Sequence, residues 1–163
     1  MVKKRSHIYK ASGINLIRFF LIIFFFSLIC SCKKKHLSIY DFEYNKWAKV
    51  DTVDFVFDVN DTTKAYELSF FFRNSLNYTY RNLFLLIELG YDDKIIQTDT
   101  VEYKIADKYG QWLGRGLGNV KDNYLMFNKN AMFNKEGMYK IRVRHGMRQD
   151  SLIGVNKLGF QTK

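Results

Sequence analysis

The chain has 163 residues and a formal charge of +10, with 26 Lys and Arg against 16 Asp and Glu. Five positive charges and no acidic residue lie before residue 32, so the remainder carries 10 − 5 = +5, which excludes a strongly basic nucleic-acid-binding domain. The two cysteines stand at positions 30 and 32, so the rest of the chain has neither a disulfide framework nor a cysteine-based metal site.

The N-terminal segment has the pattern of a secretory signal. Its basic residues Lys3, Lys4, Arg5, Lys10 and Arg18 precede an apolar run from Phe19 to Ile29 in which Ser27 is the one polar residue. A helix that crosses a membrane needs about 20 predominantly apolar residues, and this run is shorter. The pattern favours a signal peptide over the two alternatives, an uncleaved signal anchor and a core helix, because a core helix would show polar residues at the helical period.

The end of the apolar run resembles a bacterial lipobox. Ile29, Cys30 and Ser31 place an aliphatic residue and a small residue before Cys32, whose thiolate would accept a diacylglycerol or acyl lipid such as palmitate. Cys30 is the weaker candidate because bulky Ile29 precedes it. We therefore predict a cleaved signal peptide over residues 1–31, a lipidated N-terminus and tether over 32–45, and one folded domain over 46–163. Acyl chains on Cys32 would anchor that domain to a membrane.

The rest of the chain alternates apolar and polar residues with a period of two, which is typical of half-buried strands. Residues 36–45 fit either a strand or an extended tether, residues 53–59 and 66–72 suggest a hairpin, and residues 83–89 suggest a central strand covered on both faces. Further strands are predicted near residues 95–105, 139–145 and 153–160, with two short apolar pieces at 124–127 and 132–133 between them. Short strands at this spacing, without a long helical segment, predict an all-β, antiparallel sandwich or jelly roll.

A glycine-rich segment follows the predicted strand at 95–105. The segment contains Gly114, Gly116 and Gly118. A dinucleotide-binding loop needs a strand directly before it, a helix directly after it and a further glycine at a fixed spacing, and this combination is absent here. We interpret the segment as an edge or bulge where backbones approach closely.

His145 is the one histidine deep in the domain, and it shares a strand face with Ile141 and Val143. A satisfied core histidine is the favoured interpretation, because a catalytic histidine needs a nucleophile and an orienting carboxylate, and only Ser151 and Asp150 are close in sequence. No carboxylate or histidine cluster has metal-ligand spacing, so neither a metal nor another cofactor is expected.

Cations line the opposite face of the same strand. Lys140, Arg142 and Arg144 alternate along it and Arg148 continues the stripe, which makes these four residues the candidate partner-binding surface. The alternative is an ordinary solvated strand face whose cations discourage edge-to-edge aggregation.

The motifs of the domain resemble the gliding-motility lipoprotein GldH family of the Bacteroidetes. They are, in order, Arg73-Asn74, Tyr78-Thr79-Tyr80, Asn82-Leu83, Ala106-Asp107, Gly110, Trp112-Leu113-Gly114, Gly116, His145, Met147-Arg148, Asp150, Leu152, Gly154 and Gly159. Thr79 stands where the family usually has a proline. The resemblance implies architectural roles for most of these residues, with Tyr78 and Tyr80 at a corner and Trp112 in the core.

The resemblance also implies a function. The expected protein is a non-enzymatic, lipid-anchored subunit of the cell envelope, required for gliding and linked to the type IX secretion machinery, with other envelope proteins as partners. Lys33–Lys35 are not the acidic residues that mark surface-displayed lipoproteins of this phylum, which favours the periplasmic face of the outer membrane. The rival hypothesis is a carbohydrate-binding lipoprotein, in which several of Trp47, Tyr91, Tyr109 and Trp112 would line one concave surface. An enzyme is a more distant third.

Overall fold

The structure is a computed structural model and describes residues 36–163. This part of the chain is built from strands and one short 3-10 helix, Glu43–Asn45. The strands are β1 (His36–Asp41), β2 (Lys46–Ala48), β3 (Val53–Val59), β4 (Tyr66–Ser75), β5 (Asn82–Tyr91), β6 (Lys94–Lys104), β7 (Val120–Ala131), β8 (Gly137–His145), β9 (Ser151–Ile153) and β10 (Val155–Thr162).

Eight of these strands form two four-stranded antiparallel sheets. Sheet I has the order β1-β10-β4-β7 and sheet II the order β3-β8-β5-β6, while β2 and β9 pair with each other. Strands that are consecutive in sequence mostly alternate between the two sheets, which is the arrangement of a jelly roll. The predicted all-β, antiparallel sandwich is confirmed.

The core lies between the two sheets and is rich in aromatic side chains. Strand β3 shows strict alternation of buried and exposed residues, so Phe55 and Phe57 both point inward. Their rings lie 6.0 Å and 5.3 Å from the ring of Phe160 on the opposite sheet. Burying one such side chain fully stabilises the folded state by about 1.5–3 kcal/mol. The apolar residues that alternate along each strand therefore stabilise the packing of the two sheets.

The sandwich begins earlier than the sequence predicted. Residues His36–Asp41 pair with β10 along their whole length, from the pair His36 and Thr162 to the pair Asp41 and Lys157. The segment is therefore a strand of sheet I rather than a tether, and the predicted domain boundary at residue 46 moves to His36. Burial of Phe42 against Trp47, at 4.9 Å between ring centroids, fixes the end of this strand to the core.

The predicted hairpin of residues 53–59 and 66–72 is wrong. Strand β3 pairs with β8 in sheet II, whereas β4 pairs with β10 and β7 in sheet I. The connection between them crosses the sandwich, with the carboxylate of Asp61 accepting a hydrogen bond from the backbone N–H of Thr63 at 3.0 Å. The tight hairpin is instead β5–β6, where Asp92 and Asp93 both have positive φ, as a two-residue type I′ turn requires.

Strand β5 is central, as predicted, because it lies between β8 and β6. One face is buried through Leu83, Leu85, Ile87 and Leu89. The other face, which includes Phe84 and Leu86, is only half-buried. The prediction that both faces are covered is therefore wrong, since the side chains of the outer face are not fully buried.

Candidate functional site

The predicted lipidation site lies outside the described residues. Ile29, Cys30, Ser31 and Cys32 all precede His36, where the described part of the chain starts. Within residues 36–163, no helix is long and apolar enough to cross a membrane. Three residues, Lys33–Lys35, separate Cys32 from the first residue of β1.

The predicted basic stripe lies on the outer face of sheet II. Arg142 makes a bidentate contact with the carboxylate of Asp54 on β3, with N···O distances of 2.9 Å and 3.0 Å. The hydrogen bond from Arg142 lowers the pKa of Asp54 from its ordinary value. Arg144 approaches Glu88 on β5 at a longer distance of 3.5 Å. Neighbouring carboxylates therefore offset much of the positive charge of the stripe.

Lys140 continues this face toward an open groove of about 490 Å³ that is also lined by Tyr91 and Met138. Arg148 lies beyond the end of β8, on the exposed segment before β9. The structure thus brings Lys140, Arg142 and Arg144 together on one strand face and places Arg148 apart from them. Their role in partner binding stays a prediction.

His145 is buried, but it is not a satisfied histidine. Its exposed fraction is 1%, its ring packs edge-to-face on Trp47 at 5.4 Å, and neither ring nitrogen has a hydrogen-bond partner among the described residues. Burial lowers the pKa of His145, and the charge of Lys49 adds to that effect. A contact with the backbone of Trp47 that does not meet hydrogen-bond geometry, and the carboxylate of Asp51, oppose it. The described residues place neither Ser151 nor Asp150 in hydrogen-bond contact with it.

Residues 36–163 contain no group of three or more His, Cys, Asp or Glu side chains placed to hold a metal ion.

The four aromatic residues proposed for glycan binding do not line one surface. Trp47 is fully buried, Trp112 packs partly against the core beside Tyr78, and Tyr91 lies at the β5–β6 turn against Tyr139. Tyr109 is exposed in the β6–β7 connection, with the ammonium of Lys108 4.9 Å from its ring centroid. This dispersal is the pattern expected of a scaffold subunit rather than a carbohydrate-binding module.

Tyr78 and Gly154, two of the motif residues, lie against each other at a corner of the fold. The buried hydroxyl of Tyr78 donates a hydrogen bond to the carbonyl of Asn82 at 2.8 Å, and burial raises the pKa of Tyr78 well above its ordinary range. Gly154 has φ of +83°, and a Cβ atom there would collide with the backbone nitrogen of Tyr78. Glycine is required at this position because it alone combines that φ with so close an approach.

The glycine-rich segment is the close backbone approach that the sequence indicated. A Cβ atom on Gly114 would lie 2.6 Å from the side-chain oxygen of Asn123 and 2.9 Å from the carbonyl of Asp122. Arg115 and Asp122 exchange two backbone hydrogen bonds, at 2.9 Å and 2.7 Å. The segment therefore packs against β7 as an irregular edge.

Sequence reasoning missed the outer face of sheet I. Its residues lie in rows across the four strands, and two adjacent rows together carry five large apolar side chains. One row is Leu37, Gln161, Ser69 and Met126, and the next is Ile39, Gly159, Phe71 and Tyr124. The run Phe70-Phe71-Phe72 was the available signal, because three consecutive aromatic residues in a strand must place at least one on the outer face.

Comparison with known proteins identifies the family of the chain. The model of the family described as GldH lipoprotein matches residues 36–162, which is nearly the whole described domain. The gliding motility lipoprotein GldH homolog of Christiangramia forsetii is 36% identical over 152 residues, covering 87% of this chain and 92% of that protein. The gliding motility lipoprotein GldH of Flavobacterium johnsoniae is 30% identical over 145 residues, covering 82% and 88% respectively.

Solved structures give only weak matches. Dimeric latent PorU from Porphyromonas gingivalis is 11% identical with a TM-score of 0.34, and the match covers 78% of this chain but 12% of that one. The VP2 subviral particle of infectious bursal disease virus is 13% identical with a TM-score of 0.38, covering 80% and 32%. Similarities at this level carry no functional argument. The family model and the two relatives do, and by them the chain belongs to the GldH lipoprotein family.

Proposed function

We propose that this chain is a lipid-anchored, non-enzymatic subunit of the gliding-motility apparatus. The observation that carries the proposal is the similarity to two gliding motility lipoproteins over more than four fifths of each protein. In this proposal the subunit stands on the periplasmic face of the outer membrane and supports assembly of the gliding and type IX secretion machinery through contacts with other envelope proteins.

The anchor in this proposal is a lipid on Cys32. The described domain makes up about four fifths of the chain, so the 87% coverage of the Christiangramia forsetii relative reaches into the segment before His36. That segment contains the lipobox-like Ile29-Cys30-Ser31-Cys32. A doubly or triply acylated cysteine holds a domain on a bilayer essentially permanently, as an envelope subunit without another anchor would require.

A scaffold role fits the distribution of polar groups on the domain. Arg142 pairs with Asp54 on the outer face of sheet II, and Arg73 pairs with Asp122 on that of sheet I. His145 is sealed in the core, so it is not available to a substrate. The charged groups described above therefore lie on the outer faces of the two sheets, where they can contact other envelope proteins.

Single-cell movement on glass tests the proposal. A deletion strain would be complemented with the wild-type gene, with Cys32→Ala, or with Cys30→Ala as the matched control. We expect movement to be lost on deletion and to be restored by the wild type and by Cys30→Ala, but not by Cys32→Ala.

Normal movement of the deletion strain would refute the motility role. Restoration by Cys32→Ala would refute the need for the lipid anchor. The amount of type IX substrates in the culture medium, measured in the same strains, separates a role in secretion from a role in movement alone.

A further inference from the structure

The outer face of sheet I exposes apolar side chains on its two edge strands, β1 and β7. The exposed fractions are 40% for Leu37, 47% for Ile39, 68% for Tyr124 and 38% for Met126. Between these edge residues, Phe71, Ser69 and Gln161 are only 5%, 7% and 3% exposed, and the ring of Phe71 lies 5.5 Å from that of Tyr124. Exposed apolar side chains that share one sheet face are a candidate contact surface.

Charged residues border the patch on the side away from the start of β1. In the next row, Lys157 pairs with Asp41 at 2.5 Å and Arg73 makes a bidentate contact with Asp122 at 2.6 Å and 2.7 Å. This row contains residue 41 of β1, whereas the two apolar rows contain residues 37 and 39. On β1 the apolar rows therefore lie toward His36, and beyond them the ion pair of Lys163 with Glu67, at 3.0 Å, borders the face on that side.

The chain between Cys32 and His36 is short. A fully extended chain spans at most about 3.5 Å per residue, so the four steps from Cys32 to His36 reach about 14 Å. A lipid on Cys32 therefore keeps the start of β1, and with it Leu37 and Ile39, close to the bilayer surface.

The exposed apolar area is small, which favours contact with a surface to which the domain is already tethered. With about 200 Å² for each fully exposed large side chain, the four exposed fractions amount to about 400 Å², roughly half of what one partner buries in a standard protein interface. Such a patch is too small to hold a free partner by itself. It is large enough to orient a tethered domain, because tethering makes the contact intramolecular.

We propose that the outer face of sheet I rests on the lipid bilayer, with Leu37, Ile39, Tyr124 and Met126 at the headgroup–acyl boundary; this rests on the lipid anchor proposed above. Tyrosine is favoured at that depth because its ring is apolar and its hydroxyl stays hydrated. The ion-paired row of Asp41, Lys157, Arg73 and Asp122 then lies at the far edge of the contact, in water. Sheet II faces away from the membrane, which leaves its basic stripe accessible to envelope partners.

Cysteine accessibility on liposomes tests the orientation. The lipidated protein would be purified with Met126→Cys, or with Val56→Cys as the control, since Val56 is 41% exposed on the outer face of sheet II and Met126 is 38% exposed. Acylation makes Cys32 unreactive, so each variant has one reactive thiol. Liposomes of phosphatidylethanolamine and phosphatidylglycerol, without other proteins, would then receive a membrane-impermeant maleimide.

We expect the Met126→Cys variant to react at least about fivefold more slowly than the Val56→Cys variant, because the acyl region excludes the reagent. Adding Leu37→Glu and Ile39→Glu should remove that protection, since anionic side chains are repelled by the bilayer. Adding Ile95→Glu and Met138→Glu, at two positions of sheet II that are each 60% exposed, should leave it unchanged.

Equal reaction rates of the two cysteine variants on liposomes would overturn the proposal. Protection of Met126→Cys in native outer-membrane vesicles but not on liposomes would also overturn it, because the face would then contact a protein. The intact mass of the purified protein, measured first, separates the two proposals: a mass without acyl chains would refute the lipid anchor itself.

Discussion

Replacing Gly154 by alanine tests how tightly the β9–β10 connection is fixed to the Tyr78 corner. Gly154 has φ of +83°, where an L-residue costs roughly 1–2 kcal/mol. Its N–H donates to the carbonyl of Asn45 and its carbonyl accepts from the N–H of Ser75, both at 2.8 Å, so the backbone cannot move away without breaking these bonds. The added Cβ would collide with the backbone of Tyr78, and overpacking of this kind costs roughly a further 1–3 kcal/mol.

Gly110→Ala is the matched control. Gly110 has almost the same φ, +85°, but no atom lies within 4 Å of where its Cβ would be. It should therefore show the conformational cost alone, reduced by about 0.4–1 kcal/mol because alanine also restricts the unfolded chain.

Urea denaturation of the two variants and the wild type, followed by near-UV circular dichroism, measures both free energies of unfolding. We expect Gly154→Ala to lose about 2 kcal/mol more than Gly110→Ala. Equal losses for the two variants would refute the argument, since they would mean that the close approach to Tyr78 contributes nothing.

Three further predictions concern Tyr78, the basic stripe and His145. Tyr78→Phe removes the donor to the buried carbonyl of Asn82 and should lower the free energy of unfolding by about 1–2 kcal/mol, measured in urea; an unchanged value would refute the structural role of this bond. Arg142→Glu with Arg144→Glu should leave the circular dichroism spectrum intact and reduce co-purification of envelope partners, less so at high salt; unchanged co-purification would remove the stripe as a binding surface.

Because the pKa of His145 is lowered in the folded state, the stability that comes from its neutral ring is complete above about pH 6.5 and is lost as the pH falls. The urea midpoint should therefore fall between about pH 7.5 and about pH 5.5, and should fall less in His145→Gln, whereas equal falls in both proteins would exclude this residue as the cause.

For strands such as β3 and β8, the sequence was sufficient to predict the strand and its buried face. The alternation of Val53, Phe55, Phe57 and Val59 directly encodes which side chains point inward, because the side-chain period of a strand is two. The same holds for Ile141 and Val143 on β8, so the fold class and most of the core follow from periodicity.

Pairing between strands was not predictable in the same way. Asn60 and Asp61 are turn-forming residues. Such residues occur both in a hairpin, where the next strand pairs with the previous one, and in a connection that crosses to the other sheet, so they do not tell the two apart. Likewise, the sequence placed Arg142 on an outer face, yet its partner Asp54 is 88 residues earlier and is brought to it only by the register of β3 and β8. The unpartnered state of His145 depends on packing that no local pattern reports.

The position of β10 in sheet I sets the order in which this domain completes folding. Strand β10 is the last of the described strands in sequence order, yet it lies between β1 and β4 and pairs with both. Until it emerges from synthesis or export, β1 has no partner and β4 has only β7. Folding of sheet I is therefore a late, long-range event, and the apolar strands stay exposed until then. We therefore expect truncation of the chain within β10 to prevent sheet I from forming.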